Sequence, residues 1–297
     1  MDVHLIDGTY ELFRHYYGIP ADTRGSSELG GARGVIDSLL YLLADGATHV
    51  GVATDHVIES FRNDLWPGYK SSEGMDPAIV AQFGPLEEAV AALGVYLWPM
   101  TDLEADDALA SAAAVAADDP DVGQVRILTP DKDLAQCVRG TRVVQVEVRK
   151  GSTVDEDGVI AKFGVPPASI PDWLALVGDS ADGFPGLPGW GAKSASAVLA
   201  AHGHIADIPD APGQWLVTVR GAPKLAAVLA AEREAADLFL ELATLRIDRT
   251  LLGSVADLEW RGPTDDFDLI ADRLHAPQRA DRARAIAARR GVGRQKA

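Results

Sequence analysis

The chain has 297 residues, 47% of them hydrophobic and 24% charged, with a formal net charge of −17 at pH 7 and one cysteine. This composition supplies a packed core for one large domain or two coupled ones and excludes global disorder. A single cysteine excludes an internal disulfide and a cysteine-rich zinc site; no apolar run is long enough to span a bilayer, and MDVHLIDGTY lacks the basic start of a signal peptide, so a reducing cytoplasm is the expected setting.

Val3 to Ile6 is a short apolar run ending at Asp7, the pattern of a buried strand. Residues 9–17 and 34–44 read as helices, the second with Val35, Ile36, Leu39, Leu40, Leu42 and Leu43 on a broad apolar face. His49 to Ala53 reads as a second strand, just ahead of Asp55. Residues 77–93 read as one helix opened by Pro77, at an early position where proline fits. Val95 to Trp98 is strand-like, Glu104 to Ala117 is an alanine-rich helix, and Val125 to Thr129 is a further strand closed by Pro130 and Asp131. The alternation predicts an α/β fold with a mostly parallel central sheet flanked by helices. After Val165-Pro166-Pro167 the character changes. A short helix over 169–178 precedes the glycine- and proline-rich GDSADGFPGLPGWGAKSASAVLAAHG, whose own helix starts near Ala192, and 223–245 reads as helical. The second half is therefore a helical subdomain.

In a parallel sheet the functional site lies beyond the carboxyl ends of the strands. Asp7, Asp55 and the Asp131/Asp133 pair follow strands directly, and Glu104, Asp106 and Asp107 open a helix soon after another. Asp179 and Asp182 flank Ser180 beside the glycine-rich turn. Each of these places has an ordinary reading: an acidic first helical turn, a capped turn, a capped loop. Jointly, strands and loops would deliver the nine acids from separated places to a common pocket. Gathered carboxylates repel unless cations lie between them, and hard divalent ions favour all-oxygen shells completed by phosphates. The pattern points to metal-assisted chemistry on a phosphodiester.

Gly186 to Ser194 places glycines ahead of a helix N-terminus with Lys193 beside it, either a tight connection or a seat for a DNA phosphate. Arg62 and Lys70 lie between Asp55 and Pro77 and are either scattered surface cations or a clamp on the scissile phosphate; Arg14 is a similar candidate beyond Asp7. The negative net charge is awkward for a nucleic-acid partner, although cations at the nine acids would offset much of it. From Arg279 to Lys296 the chain is basic, either a solvated helix end or a DNA-contacting tail.

The stretches LIDGTYELFR, FRNDLWPGYKS, LEADDALA, LTPDKDLAQ, FGVPPASIPDWLALVGDSADGFPG and LPGWGAKSA, in this order from residue 5 to about 200, resemble the 5′-nuclease family of flap endonucleases and 5′→3′ exonucleases. The likeness is to the bacterial branch, found as the N-terminal domain of DNA polymerase I or free-standing; no polymerase segment follows here, so a free-standing protein is expected. The resemblance implies a PIN-like nuclease core over residues 1–168 with an arch region about 56–78. It further implies a helix–three-turn–helix DNA-binding subdomain over 169–262 and a C-terminal helix and basic tail over 263–297. It implies two or three magnesium or manganese ions. Asp7, Asp55, Glu104 and Asp106 match the first metal group, Asp131, Asp133 and Asp182 the second, and Asp107 and Asp179 the further acids of bacterial members. Lys70 and Arg62 match the basic residues of the arch, and Arg14 a family arginine near the first acid. Gly189, Trp190, Gly191, Lys193 and Ser194 match the DNA-binding hairpin, which in this family often holds a potassium ion. The implied partner is DNA with a 5′ end, flap or nick, met by a monomer.

The chain departs from the family at Thr54, where an aromatic is usual, at Pro130 in place of glycine, and at Gly183 in place of asparagine. Ser71, Ser72 and Glu73 follow Lys70 where another arginine is usual. A phosphatase of the haloacid dehalogenase class would need a nucleophilic aspartate at position 5, which is leucine. A non-catalytic DNA-binding protein would be expected to lose ligands, and all nine acids are present. An RNA-directed nuclease of a related fold does not usually carry the hairpin.

Overall fold

The computed structural model describes residues 1–20 and 28–292. In chain order the elements are β1 (Asp2–Asp7), α1 (Gly8–Gly18), α2 (Gly30–Ala44), β2 (His49–Asp55), α3 (Phe61–Leu65), α4 (Pro77–Val80), α5 (Phe83–Ala92), β3 (Tyr96–Met100), α6 (Ala105–Asp118) and β4 (Gln124–Leu128). There follow β5 (Val143–Glu147), β6 (Ser152–Val154), α7 (Glu156–Phe163), α8 (Ile170–Val177), α9 (Ala192–His202), α10 (Ala222–Ala231), α11 (Arg233–Ala243), α12 (Phe267–Arg273) and α13 (Gln278–Arg290). The chain forms two compact units, one of residues 1–58, 72–129 and 247–297 and one of residues 59–71 and 130–246. Residues 130–168 cluster with the helical half, and described residues 247–292 with the first strands. No helix among the described residues is long and apolar enough to cross a membrane.

In the first unit the strands run parallel in the order β3-β2-β1-β4, with Asp7 opposite Ala53 and Asp55 opposite Met100. Side chains alternate between the faces. Ile6, Val50 and Val52 join a core with α1, α2, α5, α12 and α13, and α6 packs against all four strands. The apolar stripe of α2 is buried as its spacing predicts. Its C-terminal carbonyls are taken by a distant cation: Arg290 of α13 donates to the carbonyls of Leu43 and Ala47, the latter at 2.7 Å. Arg279 reaches Asp37 and Arg284 reaches Asp268 and Asp281. Cations near a helix C-terminus also favour its dipole. Arg279, Arg284 and Arg290 of the basic stretch are thus engaged within this unit, while Arg282 and Arg289 are exposed; Arg294 and Lys296 lie outside the described residues.

The predicted helix over 77–93 is two helices. Pro85 has no N–H for the Ala81 carbonyl, so a continuous helix would lose a bond there. The chain breaks at Gln82, whose buried side chain accepts from the Ala32 amide at 3.1 Å. The 223–245 helix is likewise split, at Glu232.

The second unit has its own core, in which α8, α9, α10 and α11 bury Leu174, Leu199, Leu229 and Phe239. β5 and β6 form an antiparallel hairpin, and α7 follows. The apolar run Val143-Val144-Gln145-Val146 ahead of a Lys150-Gly151 turn is a legible hairpin signal.

Candidate metal centre

In the first unit the acids are held by main-chain amides and one hydroxyl. Asp7 ends β1 and caps α1: its Oδ1 accepts from the Tyr10 amide at 2.7 Å and its Oδ2 from Thr129 Oγ1 at 2.9 Å. A Cβ at Gly8 would stand 2.7 Å from the Ala53 carbonyl oxygen, so only glycine lets α1 begin this close to β2. Asp55 ends the neighbouring strand; its amide donates to Thr9 Oγ1 and its Oδ1 accepts from the Ala105 amide, both at 2.8 Å. Ala105 opens α6, so that bond brings the first turn carrying Glu104 and Asp106 beside Asp55. Asp107 is fully buried, and its Oδ2 accepts from the Glu104 amide at 3.0 Å. Asp7 thus caps α1, and Asp107 pairs with the Glu104 cap of α6; Asp7, Asp55 and Glu104 are nonetheless buried acids at one rim of the sheet. A carboxylate offers about four lone-pair sites, so accepting an amide does not preclude ligating an ion.

In the second unit the acids are held against one another. Asp131 Oδ1 accepts from the Asp133 amide at 3.0 Å, and the Asp131 carbonyl accepts from Gln145 at 2.6 Å. Asp179 caps its own turn, its Oδ1 accepting from the Ala181 amide at 2.9 Å while its N–H donates to the Phe184 carbonyl at 2.8 Å. Asp133, Asp179 and Asp182 each offer an oxygen within 4.8 Å of the others. Asp133 is 6% exposed, and its buried Oδ1 has no hydrogen-bond partner. Burial, and after it the charges of Asp131, Asp182 and Asp179, hold the Asp133 carboxyl well above the usual carboxylate range. Burial raises the Asp131 carboxyl as well, against the pull of the Asp133 amide. A buried oxygen without a partner among clustered acids is costly, and a divalent cation there would satisfy it. The donor set fits such an ion.

Two lysines offset this cluster: Lys70 Nζ lies 3.0 Å from Asp182 Oδ1, and Lys132 Nζ 2.7 Å from Asp179 Oδ2. Lys70 is fixed by main-chain bonds. Its N–H donates to the Asp182 carbonyl at 2.9 Å, its carbonyl accepts from Asn63 at 2.9 Å, and Trp66 Nε1 donates to the Gly183 carbonyl at 3.1 Å. Gly183 has φ +84°, and a Cβ on it would fall 2.0 Å from the Gly68 carbonyl oxygen. The departure from asparagine at 183 is thus matched to how close the Gly68 loop lies.

Other expected site residues lie elsewhere. Arg62 is 1% exposed and is not a surface cation; its Nε donates to the Leu242 carbonyl at 2.8 Å and its Nη2 to the Thr244 carbonyl at 3.2 Å, closing the end of α11. A guanidinium buried on these carbonyls holds the end of that helix. Arg14 is paired to Glu11 on its own helix, at 2.9 and 2.5 Å. Trp190 is 6% exposed and packs with Trp215 in the core, their rings 6.0 Å apart. Gly189, Gly191 and Lys193 are exposed, and Ser194 Oγ accepts from the Gly191 amide at 3.1 Å at the start of α9. Lys132, whose ammonium faces Asp179, is signalled in the sequence only by its place between Asp131 and Asp133. Leu5 is fully buried in the sheet, leaving no nucleophile for the phosphatase reading.

Residues 2–164 match a family model described as 5′-3′ exonuclease, N-terminal resolvase-like domain, and residues 165–266 one described as 5′-3′ exonuclease, C-terminal SAM fold. DNA polymerase I of Pseudomonas aeruginosa is 37% identical over 257 residues, covering 82% of this chain and 27% of that protein. A 5′-3′ exonuclease of Aquifex aeolicus is 28% identical over 275 residues, 92% of this chain and 90% of that one. The chain thus spans about a quarter of the length of the DNA polymerase I relatives it matches. Among solved structures, T5 5′-exonuclease with bound zinc aligns with TM-score 0.65 at 18% identity, over 93% of this chain and 98% of that one. The catalytic core of Rad2 with DNA substrate aligns with TM-score 0.61 at 14% identity, over 94% and 90%. At such identities the two structures speak for the fold.

Proposed function

The chain belongs to the 5′-3′ exonuclease family, and from that premise we propose that it is a divalent-metal-dependent 5′ nuclease hydrolysing DNA phosphodiesters at 5′ ends or flaps, in DNA repair or primer removal in the cytoplasm. The observation that carries the metal reading is the group Asp133, Asp179 and Asp182, with oxygens within 4.8 Å and the partnerless Asp133 Oδ1 among them. Asp131, Asp133, Asp179 and Asp182 would hold one ion, and Asp7, Asp55, Glu104 and Asp106 another. Magnesium or manganese suits these all-oxygen sets. Such ions, when bound, lower the pKa of a nearby water and offset the charge that develops on the phosphoryl oxygens and the leaving 3′-oxygen.

The chain's own residues supply the rest. Asp7, Asp55 and Glu104 are preset by capping and need little reorganisation. Lys70 is partly exposed on a main-chain-fixed loop, and its ammonium, paired to Asp182, would exchange that carboxylate for a phosphate. Arg62 supports that loop from within. Asp107 holds the first turn of α6. The exposed turn at Gly189 and Gly191, with Lys193 on the first turn of α9, would suit a duplex backbone read without sequence preference, and carbonyls of that turn would take a potassium ion. The T5 flap endonuclease and Rad2 structures were solved with DNA, which supports DNA as the partner here, bound by a monomer.

End-labelled flap, nicked and single-stranded DNAs, incubated with magnesium or manganese and resolved by product length, test the reading. Cleavage measured from the 5′ end and abolished by EDTA is expected. No hydrolysis with either ion, or hydrolysis indifferent to EDTA, overturns it.

A further inference from the structure

Lys132 stands between two of the ion-holding acids in sequence, yet its ammonium turns to a third. Nζ lies 2.7 Å from Asp179 Oδ2, while the other oxygen of that buried carboxylate accepts from the Ala181 amide at 2.9 Å. Lys132 is anchored at its main chain, where its carbonyl accepts from the Ala135 amide at 3.1 Å as the helical turn Asp133–Cys137 begins. Asp179 is also one of the three acids whose oxygens crowd within 4.8 Å. The same carboxylate therefore has two claimants, an ammonium already in contact and any cation drawn to the cluster.

Resting on the metal reading above, we propose that Lys132 is a positioning residue, the resident counter-charge of Asp179: it fixes that carboxylate when no ion is bound and competes with an incoming divalent cation for it. Like charges at such separations repel strongly in a partly buried setting, and an ammonium at hydrogen-bond distance relieves this. A divalent ion arriving at the same oxygens must displace the ammonium or bind beside it against its repulsion. Lys132 thus trades ion affinity for a pocket that stays assembled while empty. Lys70 makes a similar contact to Asp182, but from a loop whose ammonium the reading above commits to substrate. Lys132 has no such second duty.

The test uses the full chain without DNA. Manganese binding is followed by the electron paramagnetic resonance of free Mn2+, reading the binding step that Asp133→Asn removes, and unfolding is followed in EDTA. In Lys132→Gln manganese should bind about tenfold more tightly, and the melting temperature in EDTA should fall. Unchanged or weaker binding in that variant overturns the proposal. Lys132→Arg keeps the charge and adds a forked donor, so its manganese affinity should equal the wild type or lie below it, with stability in EDTA restored. If Lys132→Gln does not fold, this variant decides alone, and tighter binding with arginine overturns the proposal. Wild-type protein that binds no manganese would sink the metal reading itself and this inference with it; wild-type binding with an unresponsive Lys132→Gln sinks only the inference.

Discussion

Two groups of acids in one chain are held in opposite ways. In the first unit Asp7, Asp55 and Asp107 accept from main-chain amides at 2.7 to 3.0 Å, and the acids double as helix caps. In the second unit Asp133 has an oxygen with no partner, and Asp179 and Asp182 lean on lysines. The first group strengthens the fold that carries it. The second is a strained arrangement that the surrounding structure tolerates, the kind of local cost expected where function rather than stability is served. On the proposed metal reading, identical side chains in one sequence serve structure and function at once in the first unit, and function at the expense of structure in the second.

The largest test of this contrast is Asp133→Asn. Cleavage should fall by at least about a thousandfold, as when a principal charge-stabilising group is lost. The melting temperature in EDTA should hold or rise, because a buried carboxyl pushed far above its usual range is a net burden at neutral pH. A lower melting temperature would place Asp133 with the first group. Next is Gly183→Asn, which restores the family residue. Its Cβ would meet the Gly68 carbonyl, so stability should drop by about 1–3 kcal/mol, and cleavage should weaken as Lys70 shifts; wild-type unfolding in denaturant would show that the loop gives way easily.

Asp107→Ala should cost about 1 kcal/mol through the lost cap and the orphaned Glu104 amide. Thermal unfolding checks it, and manganese binding at the second group should persist; unaltered stability would deny the first group its structural half. The smallest effect concerns His204, whose Nδ1 lies 2.9 Å from buried Asp172 in the second unit. That hydrogen bond, against the opposing effect of burial, raises the imidazole pKa above 6.5. Protonation is therefore favoured on folding. The contribution is fully present below about 6.5 and is lost as pH rises through the higher folded value. In His204→Gln the melting temperature should lose this dependence; an identical pH profile would show that the pair contributes nothing.

The strand ends were legible because apolar runs closing on an acid carry both the secondary-structure signal and the chemistry, as at Asp7 and Asp55. The family resemblance ordered the acids into groups. The destinations of Arg62 and Trp190 were not legible. Whether an arginine meets solvent or the carbonyls of Leu242 and Thr244, some 180 residues away, is decided by packing that no local pattern encodes. The break at Gln82 could have been read from Pro85. The β5–β6 hairpin could likewise have been read from Val143 to Val146 and the Lys150-Gly151 turn. The lysines on Asp179 and Asp182 belong to a third kind, since a DKD triplet shows that charges alternate but not which acid the lysine will face.

The close approach at Gly183 carries a consequence for how this sequence can drift. Residues 68 and 183 are over a hundred positions apart, yet the carbonyl of one fills the space a side chain on the other would need. Substitutions at the two positions are therefore not independent, and lineages that carry asparagine at 183 should also have rebuilt the stretch around 68, leaving a pair of columns that change in step.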